Sequence, residues 1–338
     1  MAQLSDIGID LGTASVIIRA SERGVLLNEP AVISVDRETR KVLAVGTPAR
    51  DMVGRTPGNI VAMRPLREGM IADFDLVNIM LRHFVRQVCG KRLFGGARVI
   101  ISMPAGVNEM EGHGIATALF ESGVRSTQMV EKPVAAALGA SMPIDAAYGQ
   151  MVVDIGAGMT DMAVTSMGRI INRNYTQCAG DQLDDAIIRY IRRKYNVLIG
   201  EITAEDIKKN LGSAMPRDEE LYMEVTGRNL ITGLPKVLRV DSDEVEEAID
   251  ETVMTLIENI HSVLEHTPAE LAADIFENGI VLTGGGAKLY GLAERVSKSL
   301  KVDCRLADNP QECVASGCAL VASDRRNLGK YIISRRKR

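Results

Sequence analysis

The residues best placed to do chemistry lie in one short stretch near the middle of the chain: Asp154, Gly156, Ala157 and Gly158, followed by Thr160 and Asp161. Met151, Val152 and Val153 precede them and Met162, Ala163 and Val164 follow, so the stretch reads as strand, tight turn, strand. Glycines at such a turn let backbone N–H groups close on an anion and supply dihedrals that other residues avoid. A carboxylate beside a phosphate cradle repels it unless a cation lies between them. The pattern therefore suggests Mg²⁺ held largely through its waters at Asp154, with a nucleotide phosphate on its far side.

One glycine-rich hairpin is weak support, but the chain carries two. From Ile7 to Ile18 the same grammar recurs: apolar strand, Asp10, one residue, Gly12, the small residues Thr13, Ala14 and Ser15, apolar strand. Two copies about half a chain apart imply two similar domains whose hairpins face each other and clamp a triphosphate from both sides. A third signal is Ile280 to Thr283, an apolar run leading into Gly284, Gly285, Gly286, Ala287 and Lys288. A buried strand entering glycines and then a helix would offer unpaired N–H groups and a positive dipole end to phosphate and ribose. It is not a Walker loop, and no strand runs into GxGxxG. Three such turns favour nucleotide binding over coincidence.

The elements that must position these residues come from an ordinary globular composition. Of 338 residues, 46% are hydrophobic and 25% charged, long enough for two domains with sizeable cores. A net charge of −4 argues against nucleic-acid binding by bulk electrostatics. Cys89, Cys178, Cys304, Cys313 and Cys318 form no CxxC pair and read as reduced core thiols. No run approaches the ~20 apolar residues of a bilayer span, and the start is no signal peptide. Asp75 or Asp73 caps a helix running to about residue 89; a helix over 109–122 and a strand over 127–130 follow. Pro133 opens a small-residue helix whose alanines permit close packing at a domain junction. Asp181 caps a helix over 182–195, residues 221–240 alternate as edge strands, and a long helix begins at Ser242. Its acidic first turn (Asp243, Glu244, Glu246) reads as a solvated face complementing the dipole. Residues 91–96 carry Leu93 and Phe94 between basic residues and glycines. These two either tuck back against the adjacent helix or form a membrane-dipping tip. From Arg325 onward seven basic residues and no acidic ones accompany Leu328, Tyr331 and Ile332 at helical spacing. That end is either a solvated tail or an amphipathic membrane contact.

Several motifs together resemble the actin, heat-shock chaperone and sugar kinase ATPase superfamily, and within it the bacterial actins of the MreB type. They are IGIDLGTASV (7–16), LNEPAVISV (27–35), GRTPGNIVAMRPLREGMIADFD (54–75), MVVDIGAGMTD (151–161), RRKYNVLIGEITAEDIK (192–208), TGLPK (232–236) and ELAADIFENGIVLTGGGA (270–287). The resemblance implies an α/β, actin-like (ribonuclease H-like) duplicated fold. Two large domains each bear a small subdomain: IA over 1–32, 66–146 and 313–338, IB over 33–65, IIA over 147–181 and 243–312, IIB over 182–242. It implies ATP (or another purine nucleotide) and Mg²⁺ in the cleft. Asp10, Gly12, Thr13, Ala14 and Ser15 would form one phosphate loop, and Asp154, Gly156, Ala157 and Gly158 the other. Asp10 and Asp154 would hold the metal through water; Glu205, Lys208, Gly284, Gly285, Gly286 and Ala287 would meet base and ribose. It further implies self-association into paired protofilaments on the inner face of the cytoplasmic membrane, on anionic lipids, alongside other cell-shape proteins and without nucleic acid. The Leu93–Phe94 tip falls where some members carry an apolar membrane loop.

The departures bear on catalysis. Where the family has Glu-Glu-Pro, this chain has Glu131-Lys132-Pro133, and the glutamate replaced by Lys132 positions the attacking water in the family. An ammonium has no acceptor lone pair and cannot orient or deprotonate water. It can act as a counter-charge for phosphate, so the expectation is nucleotide binding with slow hydrolysis. Glu131 substitutes only if the local register shifts. Ala157 replaces a family glycine, unfavourable if that position needs a positive φ, and Ser15 replaces the usual Asn. The alternatives are a monomeric chaperone-like ATPase switch, for which no appended substrate domain follows, and a sugar or metabolite kinase, which needs a carboxylate base where Lys132 stands.

Overall fold

The hairpin around Asp10 seeds the first of two large sheets. In the computed structural model, which describes residues 6–90, 98–103, 109–121 and 123–333, β1 (Asp6–Leu11), β2 (Ser15–Ala20) and β3 (Gly24–Pro30) form an antiparallel meander. The chain then leaves to build a small three-stranded sheet from β4 (Ile33–Asp36), β5 (Val42–Val45) and β6 (Ile60–Met63), with the one-turn helix α1 (Thr47–Arg50) beside it. It returns through a tight hairpin of β7 (Leu66–Arg67) and β8 (Met70–Ile71) into α2 (Phe74–Cys89). The sheet is completed by β9 (Arg98–Met103), α3 (Glu109–Glu121) and β10 (Ser126–Glu131), giving the order β10-β9-β1-β2-β3 with β9 parallel to both β1 and β10.

After α4 (Lys132–Gly139) the plan repeats. β11 (Gln150–Ile155), β12 (Thr160–Ser166) and β13 (Arg169–Thr176) form the second meander. A second small sheet and its helices follow: α5 (Gly180–Tyr195), β14 (Val197–Leu198), α6 (Glu201–Leu211), β15 (Tyr222–Asn229) and β16 (Pro235–Asp241), the strands in the order β14-β15-β16. Then α7 (Ser242–Glu265), α8 (Ala269–Asn278), β17 (Ile280–Thr283), α9 (Leu292–Leu300) and β18 (Cys304–Leu306) close the sheet in the order β13-β12-β11-β17-β18. β17 runs parallel to β11 and to β18. Each large sheet is thus a meander extended by two parallel strands on the side of its first strand. α10 (Cys313–Ser323) and α11 (Arg325–Leu328) are the last α-helices of the described chain.

The helices join the two sheets. α2 buries Val77, Met80, Leu81, Phe84 and Val85 against the first sheet, a stripe at helical spacing. Truncating Phe84 to Ala would cost about 3–5 kcal/mol at so well packed a site. α4 and α10 lie between the sheets in one apolar cluster that takes Ile100 and Val130 from the first and Val152, Ala163 and Val281 from the second. Gly139 abuts the Cys313 carbonyl and Gly317 the Ala135 carbonyl, so closely that a Cβ on either would overlap backbone. The small-residue run after Pro133 does serve close packing at this junction.

Local expectations fared unevenly. Asp73, not Asp75, caps α2, its side chain accepting from the Leu76 N–H at 3.1 Å. α5 starts at Gly180 without a side-chain cap, and Asp181 instead faces Arg64. Glu244 is no solvated residue: it is 8% exposed, closes a capping box with Asp241, and binds Lys194 and the Tyr195 hydroxyl. At the C-terminus Tyr331 is buried and donates to Asp145 at 2.5 Å, Leu328 and Ile332 pack against the inter-sheet cluster, and Ile332 bridges to Val130. These three apolar side chains close a core instead of forming an open stripe, because the chain turns from α11 into a short 3-10 segment, Gly329–Tyr331. Leu93 and Phe94 lie outside the described residues. All five cysteines are free. Among the described residues no helix is long and apolar enough to cross a membrane.

Candidate functional site

The two Asp-x-Gly turns have one backbone design. Gly12 N–H donates to the Ser15 carbonyl and Gly156 N–H to the Met159 carbonyl, both at 3.0 Å. The turn glycines do not adopt the positive φ expected of them; their role is space. A Cβ on Gly12 would stand 2.7 Å from the Ser15 oxygen, and one on Gly156 2.9 Å from the Met159 oxygen. Ala157 likewise has no positive φ, so the backbone penalty expected of an alanine there does not arise. The turns meet: a Cβ on Gly158 would lie 2.8 Å from the Thr13 side chain and 2.9 Å from the Glu68 N–H. The β7–β8 turn sits over both, with Gly69 N–H donating to Thr13 Oγ1 at 3.2 Å and its α-carbon packed on Met159. Thr13, Gly158 and Met159 are therefore covered by the β7–β8 turn, a segment to which the sequence analysis gave no role in the site.

The carboxylates are matched in the same way. Asp10 accepts from the Ser102 hydroxyl at 3.0 Å and Asp154 from the Thr283 hydroxyl at 2.9 Å, each hydroxyl coming from the neighbouring parallel strand. Asp154 faces Asp161 in register across the β11–β12 hairpin, where two carboxylates destabilise the pair unless a cation joins them. Lys132 is that cation. At the start of α4 it is 8% exposed, and its Nζ lies 2.9 Å from Asp154 Oδ2 and 3.6 Å from Asp161 Oδ2. Burial opposes its charge, but Asp154, Asp161 and Asp10 outweigh burial and hold its pKa above the ordinary lysine value. Asp10 is pushed up to about 6 by burial, Lys132 drawing it down and Asp154 adding to the rise. Glu131 turns outward to Arg173 at 2.8 Å.

This arrangement tests the fit of a divalent ion. Asp154 already spends one oxygen on Thr283 and the other on an ammonium. Bringing Mg²⁺ within about 4 Å of that ammonium would cost roughly 8 kcal/mol of repulsion at an effective dielectric near 20. The Asp10–Asp154 pair does not fit the metal in the manner its sequence pattern implies.

The remaining predicted residues gather behind the second turn. Gly180 and Asp181 at the start of α5 donate to the Gly156 and Ala157 carbonyls at 3.1 and 2.7 Å. Lys208 on α6 donates to the Gly180 carbonyl at 2.8 Å and to Asp184 at 2.7 Å. Gly284, at φ +85°, rests against Ile155, and a Cβ on Gly286 would stand 3.3 Å from the Gly156 oxygen. The glycine run departs from expectation in two respects. Gly284 N–H is taken by the Pro310 carbonyl at 2.8 Å, and the run enters a 3-10 turn, Gly286–Lys288, with Ala287 buried, before α9 begins at Leu292. Glu205 on α6 binds Lys209 at 2.7 Å and, across the halves, Arg50 of α1 at 2.8 Å. Arg64 makes a second crossing to Asp181 at 2.8 Å. Sequence reasoning missed Ser102, Thr283, Arg50 and Arg64, and Asp161 as a partner of Lys132. Of these, the two aspartates seven residues apart across a hairpin carried a readable signal.

Duplicated sheets of one connectivity, presenting paired Asp-x-Gly turns to each other, define an actin-like fold. Residues 4–330 match the family described as MreB/Mbl protein, and the chain belongs to that family. It is 46% identical over 329 residues to the cell shape-determining protein Mbl of Bacillus subtilis (strain 168), covering 97% of this chain and 99% of the relative. It is 42% identical over 318 residues to the cell shape-determining protein MreB of Escherichia coli (strain K12), covering 93% and 92%. Crystal structures of MreB5 of Spiroplasma citri, one bound to ADP and one to AMPPNP, superpose with a TM-score of 0.90 at 34% identity, covering 96% of this chain and 98% of theirs.

Proposed function

We propose that this chain is a nucleotide-switched cell-shape protein that binds ATP or another purine nucleotide between its two halves and assembles with further copies into paired filaments. The filaments would act at the inner face of the cytoplasmic membrane, on anionic lipid and beside other shape proteins, organising cell-wall synthesis. The observation that carries the reading is the meeting of the two turns, Thr13 against Gly158, with Gly284 to Gly286 packed behind the second. The close approach of three backbone loops supports the binding of a polyphosphate there. The family relatives named for cell shape, and MreB5 with its adenine nucleotides, support it. In this reading Asp10 to Ser15 and Asp154 to Gly158 line the phosphates, while Glu205, Lys208 and the glycine run lie toward base and ribose. Leu93 and Phe94 are the proposed lipid contact.

Hydrolysis is proposed to be slow, since Lys132 offers no lone pair to the attacking water and Glu131 faces Arg173. Phosphate release from Lys132→Glu is expected to exceed wild type by about 10² or more, the usual worth of a positioned general base. Equal rates would remove Lys132 as the cause. Electron microscopy and pelleting with and without ATP and anionic vesicles test the assembly; a chain that stays monomeric in all conditions returns the reading to a monomeric switch. A metabolite kinase is disfavoured because an ammonium stands where its base belongs.

A further inference from the structure

We propose that Lys132 supplies from within the protein the positive charge a divalent cation would bring to the two loops, so that nucleotide binding by this chain is largely independent of magnesium. The inference rests on the nucleotide reading above and concerns the same site.

Four observations carry it. The ammonium sits 2.9 Å from Asp154 and 3.6 Å from Asp161, two carboxylates that face each other across the hairpin and would repel without it. It lies against the backbone of the second turn, 3.6 Å from where a Cβ on Gly156 would stand, at the floor a phosphate would approach. It is buried and yet held charged by its acidic neighbours. Among the described residues, no group of three or more His, Cys, Asp or Glu side chains is arranged to hold a metal ion. An ammonium has three N–H donors. One serves Asp154, which leaves capacity for a phosphate oxygen. A fixed ammonium thus provides, without ligand exchange, the bridge between carboxylate and phosphate that a hydrated metal provides elsewhere. The direct contact is specific to the second half: the residue in register with Asp10 is Ile17, so the first turn has one carboxylate, which Lys132 influences without forming an ion pair to it.

The test is the affinity of the full-length protein for ATP, measured by calorimetry with excess magnesium and again with excess EDTA. The wild type is expected to bind in both with dissociation constants within about fivefold of each other, a difference near 1 kcal/mol. A larger loss in EDTA overturns the inference while leaving the nucleotide reading intact; no binding in either condition overturns both. Lys132→Gln is expected to bind ATP more weakly and to recover by about tenfold or more when magnesium is added. Should that variant keep the wild-type indifference to magnesium, the charge does not come from Lys132 and the inference falls. If Lys132→Gln does not fold, the wild-type comparison decides alone.

Discussion

The two turns share a backbone and differ in charge. Around Asp10 and Asp154 the chain repeats the same glycine hydrogen bond, the same sheet position and the same hydroxyl donor from a parallel neighbour. Opposite Asp10 stands Ile17, and opposite Asp154 stands Asp161. That one difference separates a carboxylate pushed up to about 6, chiefly by burial, from a facing acidic pair that takes the ammonium of Lys132 in direct contact. Duplicated scaffolds therefore dictate where a carboxylate can stand; the facing residues decide what it must bind.

The comparison breaks most sharply at Lys132. Replacing it by Ala leaves a buried acidic pair without its cation and is expected to destabilise the protein by about 3–5 kcal/mol in urea unfolding. A loss below about 1 kcal/mol would mean the two turns are not electrostatically distinct. Next comes Asp10. Its folded pKa lies above the ordinary 3.8, so its contribution is fully present below that value and is lost as pH rises through about 6. Relative to Asp10→Asn, wild type should lose about 3 kcal/mol of stability between pH ~4 and ~7. A pH-independent difference would show that burial does not raise the Asp10 carboxyl. Ser102→Ala and Thr283→Val probe the matched hydroxyls. The first should cost about 2 kcal/mol and the second about 1 kcal/mol, because Asp154 keeps its ammonium; the reverse order in thermal or urea unfolding would invert the comparison. Smallest is Arg50→Ala. Its part-exposed pair with Glu205 crosses the halves, and removing it should change stability by less than about 1 kcal/mol.

Much of the scaffold was legible because it is written in local patterns. The two Asp-x-Gly hairpins, the aspartate cap of α2 and the alanine-glycine packing of α4 follow from residue type and side-chain size within a few residues. The buried face of α2 does not: a stripe through Leu76, Ile79 and Val88 fits the helical spacing equally well, yet the helix buries Val77, Leu81 and Val85 and leaves Ile79 exposed. The site was legible only as backbone. Glu244 looked solvated because an acidic first turn usually is; Lys194 and Tyr195, some fifty residues earlier, make it a buried partner. Tyr331 and Ile332 looked like a free apolar stripe because their cover, Asp145 and Val130, lies far back in the chain. Glu205 looked available, yet it holds Arg50 from the other half.

From its sequence alone the chain determined where it turns, which strands are buried and where carboxylates precede glycines. Those properties depend on steric and hydrophobic preferences of neighbouring residues. Which charge meets which was decided only by tertiary structure. Coulombic and hydrogen-bond partners such as Lys132 with Asp154 and Asp161 are brought within 4 Å by the packing of separate elements, and burial then raises the energy at stake.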